Sequence, residues 1–80
     1  MRHKKVLITG GTGSFGHQMA DHLLARECGE IRILSRDESK QETMRIEYAS
    51  DALRFHIGDI RSRDSVDKAM RGVDLVFHAA

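Results

Sequence analysis

The fold of this chain is decided by the stretch KVLITGGTGSFG, residues 5–16. It begins with a short apolar, β-branched run that stops at glycines, as in a strand buried on both faces of a parallel sheet. Gly10, Gly13 and Gly16 then follow with the spacing GxxGxxG, directly before an apolar helical pattern. A strand, a glycine turn and a helix in this order form the context that dinucleotide binding requires.

Apolar runs alternate with amphipathic segments along the rest of the chain. The predicted strands cover residues 5–9, 31–34, 53–57 and 75–77, and the predicted helices cover residues 14–26, 38–49 and about 62–70. This alternation indicates successive right-handed βαβ units around a parallel sheet. We therefore expect an α/β fold, the N-terminal half of a Rossmann-type doubly wound parallel sheet with strand order 3-2-1-4.

Eighty residues suffice for one modest hydrophobic core and thus for one folding unit. The fourth strand of the expected sheet would expose an unpaired apolar edge, and the second half of the dinucleotide fold has no counterpart in the sequence. We expect residues 1–80 to be the N-terminal part of a dinucleotide-binding Rossmann domain, with the remainder of a larger enzyme absent. The isolated segment should be poorly stable and self-associate through its fourth strand.

Composition excludes several other classes of protein. The formal net charge is +1, from 13 basic and 12 acidic side chains, which gives no reason to expect nucleic acid or a membrane surface as partner. The apolar run at residues 6–8 is too short for export or for spanning a membrane. Cys28 has no partner for an internal disulfide, and the histidines show no metal-ligand spacing with it. We expect a cytoplasmic protein without a metal site.

Each glycine of the turn has a predicted task at a phosphate site. Gly10 makes the tight turn, Gly13 lets the backbone approach a pyrophosphate, and Gly16 lets the helix pack on the strand. The amide groups of the first helical turn then face the phosphates, at the positive end of the helix dipole. Thr12 and Ser14 either add hydroxyl hydrogen bonds or serve as turn-forming and helix-capping residues.

Two alternatives compete for the glycine turn. The P-loop pattern GxxxxGK[ST] shares its glycine spacing, but His17 and Gln18 stand where a lysine and a serine or threonine are needed. That mismatch argues against a P-loop. A purely structural connection between strand and helix, without a ligand, remains the second alternative.

The choice of dinucleotide depends on the residues after the second strand. An acidic residue there holds the ribose 2′-hydroxyl of NAD, and a basic residue accepts the 2′-phosphate of NADP. Arg36 presents a planar fork that matches phosphate oxygens, Ser35 offers a hydroxyl, and Lys40 adds charge one turn into the helix. These residues favour NADP. Asp37 keeps NAD open, although it can equally cap the second helix.

Residues after the third and fourth strands complete the predicted site. Asp59 can accept a hydrogen bond from the adenine amino group or act only as a turn aspartate, and Ile60 can cover the ring face. Ala79 and Ala80 are small and leave room for ribose and nicotinamide. His78 is more typical of a hydrogen-bonded structural histidine than of a catalytic base.

The segments TGGTGSFG, LSRDESKQETMR, FHIGDIRSRDSV and GVDLVFHAA resemble the extended short-chain dehydrogenase/reductase superfamily. Within it, the SFG turn together with SRDE-KQ resembles the inverting UDP-N-acetylglucosamine 4,6-dehydratases, and the resemblance covers essentially the whole chain. The cofactor contacts that it implies are Thr9, Gly10, Thr12, Gly13, Ser14, Phe15 and Gly16 at the pyrophosphate, Ser35, Arg36 and Lys40 near the 2′-phosphate, Asp59 and Ile60 at adenine, and Ala79 and Ala80 along the ribose.

The resemblance also implies a reaction for the full-length enzyme, a lyase of bacterial capsule, O-antigen and flagellar glycan synthesis. A hydride passes from C4 of the UDP-sugar to NADP, water leaves across C5 and C6, and the hydride returns to C6 with inversion at C5. The family's catalytic motif lies beyond the fourth strand, so this sequence contains no catalytic residue. We expect a UDP-sugar as partner and a homo-oligomer. A related epimerase or reductase and a non-catalytic NADP-sensing module are the alternatives.

Overall fold

A computed structural model describes residues 3–10 and 12–78. The elements are β1 (Lys5–Thr9), α1 (Ser14–Ala25), β2 (Glu30–Ser35), α2 (Glu38–Tyr48), β3 (Leu53–Ile57), α3 (Arg63–Met70) and β4 (Leu75–His78). All strand pairs are parallel, in the order β3-β2-β1-β4. The predicted α/β class and strand order are therefore confirmed. Among the described helices, none has the length and apolarity needed to cross a membrane.

Helices cover both faces of the sheet, which is what makes the fold doubly wound. On one face, alternate residues of β1 and β2, such as Val6 and Ile33, pack with Ala20 and Leu23 of α1. On the other face, Leu7 and Leu34 pack with Ala69 of α3. Residues 6–8 are completely buried because β1 has a neighbouring strand on each side and helices on both faces.

Three apolar residues of the helices, which an apolar helical pattern would place in the core, are exposed. Phe15 is 50% exposed, Ile46 is 70% exposed and Met70 is 43% exposed. Phe15 lies in the first turn of α1 beside the buried Gly16, whose lack of a side chain brings the helix axis close to the sheet. Ile46 lies two residues after the buried Met44, on the opposite face of α2, and Met70 is turned by about 100° from the buried Ala69 of α3.

The amide of Gln41 ties α2 to the ends of two strands. Gln41 is 2% exposed, and its Nε2 donates to the Ser35 carbonyl at 3.3 Å, to Ser35 Oγ at 3.0 Å and to the His56 carbonyl at 2.9 Å. These acceptors lie at the carboxyl ends of β2 and β3. A buried polar side chain therefore fixes the edge of the sheet from which the site loops leave.

Gly58 lets α3 pack directly on the backbone that follows β3. Its N–H donates to the Ser35 carbonyl at 2.9 Å, which extends the pairing of β2 with β3 by one residue. A Cβ atom at this position would lie 2.8 Å from Ser65 Cβ in α3 and 3.2 Å from Leu34 Cδ1. No larger residue fits unless α3 moves away from the sheet.

Replacing Gln41 with leucine should lower the stability of the full-length protein. The His56 carbonyl would lose the Gln41 donor and the Ser35 carbonyl would keep only the Gly58 N–H, at a cost of about 1–3 kcal/mol. We expect a lower thermal unfolding midpoint for Gln41→Leu and little change for Gln18→Leu, the same substitution at an exposed position of α1. Equal midpoints for the two variants would show that the Gln41 amide does not anchor this edge.

Replacing Gly58 with alanine should also destabilise the protein, by about 1–3 kcal/mol, because the added methyl group overlaps Ser65. Gly29→Ala is the matched control, since Gly29 is exposed and does not have a positive φ. The comparison is made by chemical denaturation of the full-length protein. If Gly58→Ala were as stable as Gly29→Ala, the close packing of α3 on this loop would be wrong.

Candidate functional site

A cleft of about 400 Å³ opens at the carboxyl edge of the sheet, between the loops that follow β1, β2 and β3. Parallel strands end at the same edge, and in open α/β sheets this edge is where ligands bind. The residues that line the cleft are Gly10, Leu34, Ser35, Arg36, Gly58, Asp59, Ile60 and Arg61. The structure thus brings together five of the residues predicted to hold a cofactor: Gly10, Ser35, Arg36, Asp59 and Ile60.

The glycine turn begins at this cleft, which Gly10 lines. Gly10 has a φ of +69°, in the region that residues with a side chain rarely adopt, and its N–H donates to the Leu34 carbonyl at 2.8 Å. Gly13 is exposed and precedes α1, whereas Gly16 is buried within it. The turn is therefore hydrogen-bonded to β2 at its first residue, and α1 begins at the carboxyl edge of the sheet.

The N-terminus of α1 differs from those of α2 and α3. Asp37 and Ser62 cap the latter helices with their side chains, but α1 begins at Gly13 and receives no side-chain cap. The first helical hydrogen bond runs from His17 N–H to the Gly13 carbonyl, at 2.9 Å. Within the described residues, nothing accepts from the amides of residues 14–16. Such amides, at the positive end of a helix, suit an anion.

Neither of the two hydroxyl residues of the turn, Thr12 and Ser14, caps α1. Thr12 is half-buried in the loop, and Ser14 is the first residue of α1 and exposed. Because Gly13 occupies the capping position, neither hydroxyl caps the helix. Phe15, also predicted at the pyrophosphate, is the exposed residue next in the helix. Their contacts with a cofactor remain predictions.

Arg36 and Asp37, which left the choice of dinucleotide open, have separate roles in the structure. The Arg36 side chain is 69% exposed and lines the cleft. Asp37 is the N-cap of α2, and its Oδ1 accepts from the Lys40 N–H at 3.0 Å. The Lys40 side chain is exposed and does not line the cleft. Ser35 is half-buried, with its Oγ bonded to Gln41.

Asp59 is held by a neighbour that the sequence analysis did not single out. Arg61 donates from its backbone N–H to Oδ1 at 2.8 Å, from Nε to both carboxylate oxygens at 3.2 Å, and from Nη2 to Oδ2 at 2.9 Å. Arg36 Nη1 lies 3.5 Å from Oδ2. The side-chain and backbone hydrogen bonds of Arg61, helped by the charge of Arg36, lower the pKa of Asp59 to about 2. Asp59 is therefore ionised at neutral pH.

The spacing Asp-x-Arg after a strand is the signal that would have found Arg61. An aspartate at a turn accepts from the backbone N–H two residues later, and this brings the side chain at that position near its carboxylate. The structure has this turn at Asp59, with a further bond from Ser62 N–H to the Asp59 carbonyl at 2.9 Å. The loop is thus ordered before α3 begins.

Thr9 lies at the point where the strand order reverses, between β1 and β4. It is 3% exposed, and its Oγ1 forms a hydrogen bond of 2.6 Å with His78 Nδ1. This bond links the carboxyl ends of the two strands, and the place of Thr9 at a pyrophosphate remains a prediction. Ala79 and Ala80, predicted to lie along the ribose, fall outside the described residues.

The groups around the cleft suit the phosphates and the adenine ring of a dinucleotide, a ligand that parallel α/β sheets bind at this edge. The amides of residues 14–16 suit a pyrophosphate, the Arg36 guanidinium suits a further phosphate, and Ile60, which is 40% exposed, provides apolar surface for a flat ring. The positive charge of Arg36, the free backbone donors of α1 and the position of the cleft at the carboxyl edge all favour a ligand that carries phosphates. These are the features that a half-site for a nicotinamide dinucleotide requires at the edge of such a sheet.

Similarity to known proteins covers nearly the whole chain. UDP-glucose 4-epimerase from Rickettsia akari is 54% identical over 81 residues, across 96% of this chain. Pen from Bacillus thuringiensis superposes with a TM-score of 0.94 at 39% identity, over 99% of this chain and 24% of its own. A short chain dehydrogenase/reductase from Saccharomyces cerevisiae shares the fold, with a TM-score of 0.76 at 24% identity, over 96% of this chain and 33% of its own.

The chain spans 24% of the length of the curated relative from Rickettsia akari. Residues 6–80 match the family described as polysaccharide biosynthesis protein, which covers all of the elements described above except the first residue of β1. The chain belongs to this polysaccharide biosynthesis protein family.

Proposed function

We propose that this chain binds the adenosine half of NADP, as the cofactor-binding segment of an enzyme that modifies a nucleotide sugar. One observation carries the choice of NADP. At the end of β2, the Arg36 guanidinium lines the cleft, whereas the carboxylate of Asp37 caps α2. The position that would hold the ribose of NAD with an acid thus presents a cation.

The other groups of the cleft support the same ligand. The pyrophosphate would accept hydrogen bonds from the amides of residues 14–16, at the uncapped end of α1. The adenine ring would lie against Ile60, which is 40% exposed at the wall of the cleft. The three N–H groups of Arg61 that donate to Asp59 leave about one of the four lone-pair sites of its carboxylate, and this site would accept from the adenine amino group.

For the full-length enzyme we propose a 4,6-dehydratase acting on UDP-N-acetylglucosamine, with inversion at C5. The SFG turn and the SRDE-KQ segment support this reaction, together with membership of the polysaccharide biosynthesis family. When bound, the dinucleotide supplies reversible acceptance of a hydride. The residues of this chain bind and orient it, while the groups that move protons on the sugar belong to the rest of the enzyme.

A second candidate is the 4-epimerase reaction on UDP-glucose. It is favoured by relatives that carry this name, such as the one from Rickettsia akari at 54% identity. Both reactions begin with oxidation at C4 of the sugar and return the hydride to the same molecule, to C6 in one case and to C4 in the other. The cofactor half-site serves both equally, so the product distinguishes them.

Arg36→Ala should weaken NADP binding while sparing NAD, because it removes a phosphate partner that NAD does not use. Loss of one charge-assisted phosphate contact corresponds to roughly tenfold or more in Kd. Both affinities are measured by calorimetry on the full-length protein. Arg71→Ala is the control, since Arg71 follows α3 at the opposite edge of the sheet. Equal losses for NADP and NAD in Arg36→Ala would contradict the assignment.

Incubation of the full-length enzyme with each UDP-sugar identifies the reaction by mass spectrometry and NMR. With UDP-N-acetylglucosamine we expect a 4-keto-6-deoxy product that has lost one water and is inverted at C5. A product of unchanged mass with the opposite configuration at C4, formed from UDP-glucose, would support the epimerase instead. Unchanged UDP-N-acetylglucosamine would contradict the dehydratase proposal.

A further inference from the structure

The charged residues that line the cleft are Arg36, Asp59 and Arg61. Two cations therefore face one carboxylate, and their distances to it are unequal. Arg61 donates to Asp59 through its backbone and its guanidinium at 2.8–3.2 Å, whereas the closest approach of Arg36 is 3.5 Å. Asp59 is thus paired mainly with Arg61, and Arg36 makes only a longer and weaker ionic contact with it.

We propose that Arg61 is a positioning residue that sets the preference for NADP by neutralising Asp59. This inference rests on the proposed binding of NADP, and it assigns a task to a residue that does not contact the phosphate. With Arg61 in place, the carboxylate carries little uncompensated charge, and the positive charge of Arg36 is available to a 2′-phosphate. Without Arg61, Asp59 would draw Arg36 toward itself and repel the phosphate.

The geometry of the loop favours this role over direct phosphate binding by Arg61. Its Nε and Nη2 are both directed to the Asp59 carboxylate, and its backbone N–H holds the same group through the turn. Forked pairing of this kind fixes a guanidinium more strongly than a single contact does. Arg36 makes only the long contact and is 69% exposed, so it can turn toward a ligand at little cost.

The charge of Asp59 is also a permanent feature of the site. Hydrogen bonds from Arg61 hold the pKa of Asp59 at about 2, so protonation does not remove this charge near neutral pH. The carboxylate must therefore be balanced by a cation wherever a phosphate is to bind nearby. Arg61 supplies that cation two residues along the chain.

The test compares Arg61→Ala with the double variant Arg61→Ala, Asp59→Asn in the full-length protein. Asparagine keeps an acceptor oxygen for adenine and the ability to form the same turn, but it removes the negative charge. Calorimetry at low ionic strength gives Kd values for NADP and NAD. Arg71→Ala again controls for loss of a positive charge elsewhere.

We expect Arg61→Ala to raise the Kd for NADP roughly three- to tenfold and to change that for NAD less than about twofold, as suits a screened interaction near the surface. The double variant should recover most of the NADP affinity. Higher salt should shrink the difference between wild type and Arg61→Ala, because screening weakens the repulsion that Asp59 exerts.

Three results would overturn the inference. Unchanged Kd values for both NADP and NAD in Arg61→Ala would show that Asp59 needs no neutralisation. If the double variant bound NADP no better than Arg61→Ala alone, Arg61 would contact the phosphate itself. Equal losses for NADP and NAD would show that Arg61 only orders the loop. A wild-type protein that binds NADP no better than NAD is a different failure, because it contradicts the proposed function as well.

Discussion

The hydrogen bond from Gly10 N–H to the Leu34 carbonyl is the interaction on which the site depends. It continues the pairing of β1 with β2 beyond the last strand residue, and the positive φ of Gly10 then turns the chain out of the strand direction. From that point the chain turns into α1, whose N-terminus thereby reaches the carboxyl edge. The loop after β2 starts at the same place, so the backbone donors and Arg36 face one cleft.

Much of this architecture is predictable from the sequence because it follows from periodicity. Buried parallel strands have continuous apolar runs such as residues 6–8, and each helix shows glycine or a capping residue at its boundary. The edge strand β3 was recognisable from the alternation of Leu53, Phe55 and Ile57 with polar residues. Strand order then follows from the handedness of the crossovers.

The interactions that escaped prediction are made by side chains whose partners are distant or in a turn. The sequence does not distinguish Gln41 from the exposed polar residues of α2, because the His56 carbonyl comes within reach of its amide only in the folded chain. Arg61 reads as part of a charged loop, although it determines the electrostatic state of Asp59. Phe15 matched the apolar stripe of α1 but is exposed, because the stripe centres on Gly16 and Ala20. Periodicity locates faces of elements but does not identify such pairs.

Titration of the full-length protein with adenosine 2′,5′-bisphosphate and with AMP isolates the half-site from the nicotinamide and the sugar. We expect the bisphosphate to bind at least about tenfold more tightly than AMP, because Arg36 gains a phosphate partner, and we expect NADP to displace it. Calorimetry measures both affinities directly. Equal affinities for the two nucleotides, or a bisphosphate that NADP does not displace, would contradict the claim that this cleft recognises the 2′-phosphate of NADP.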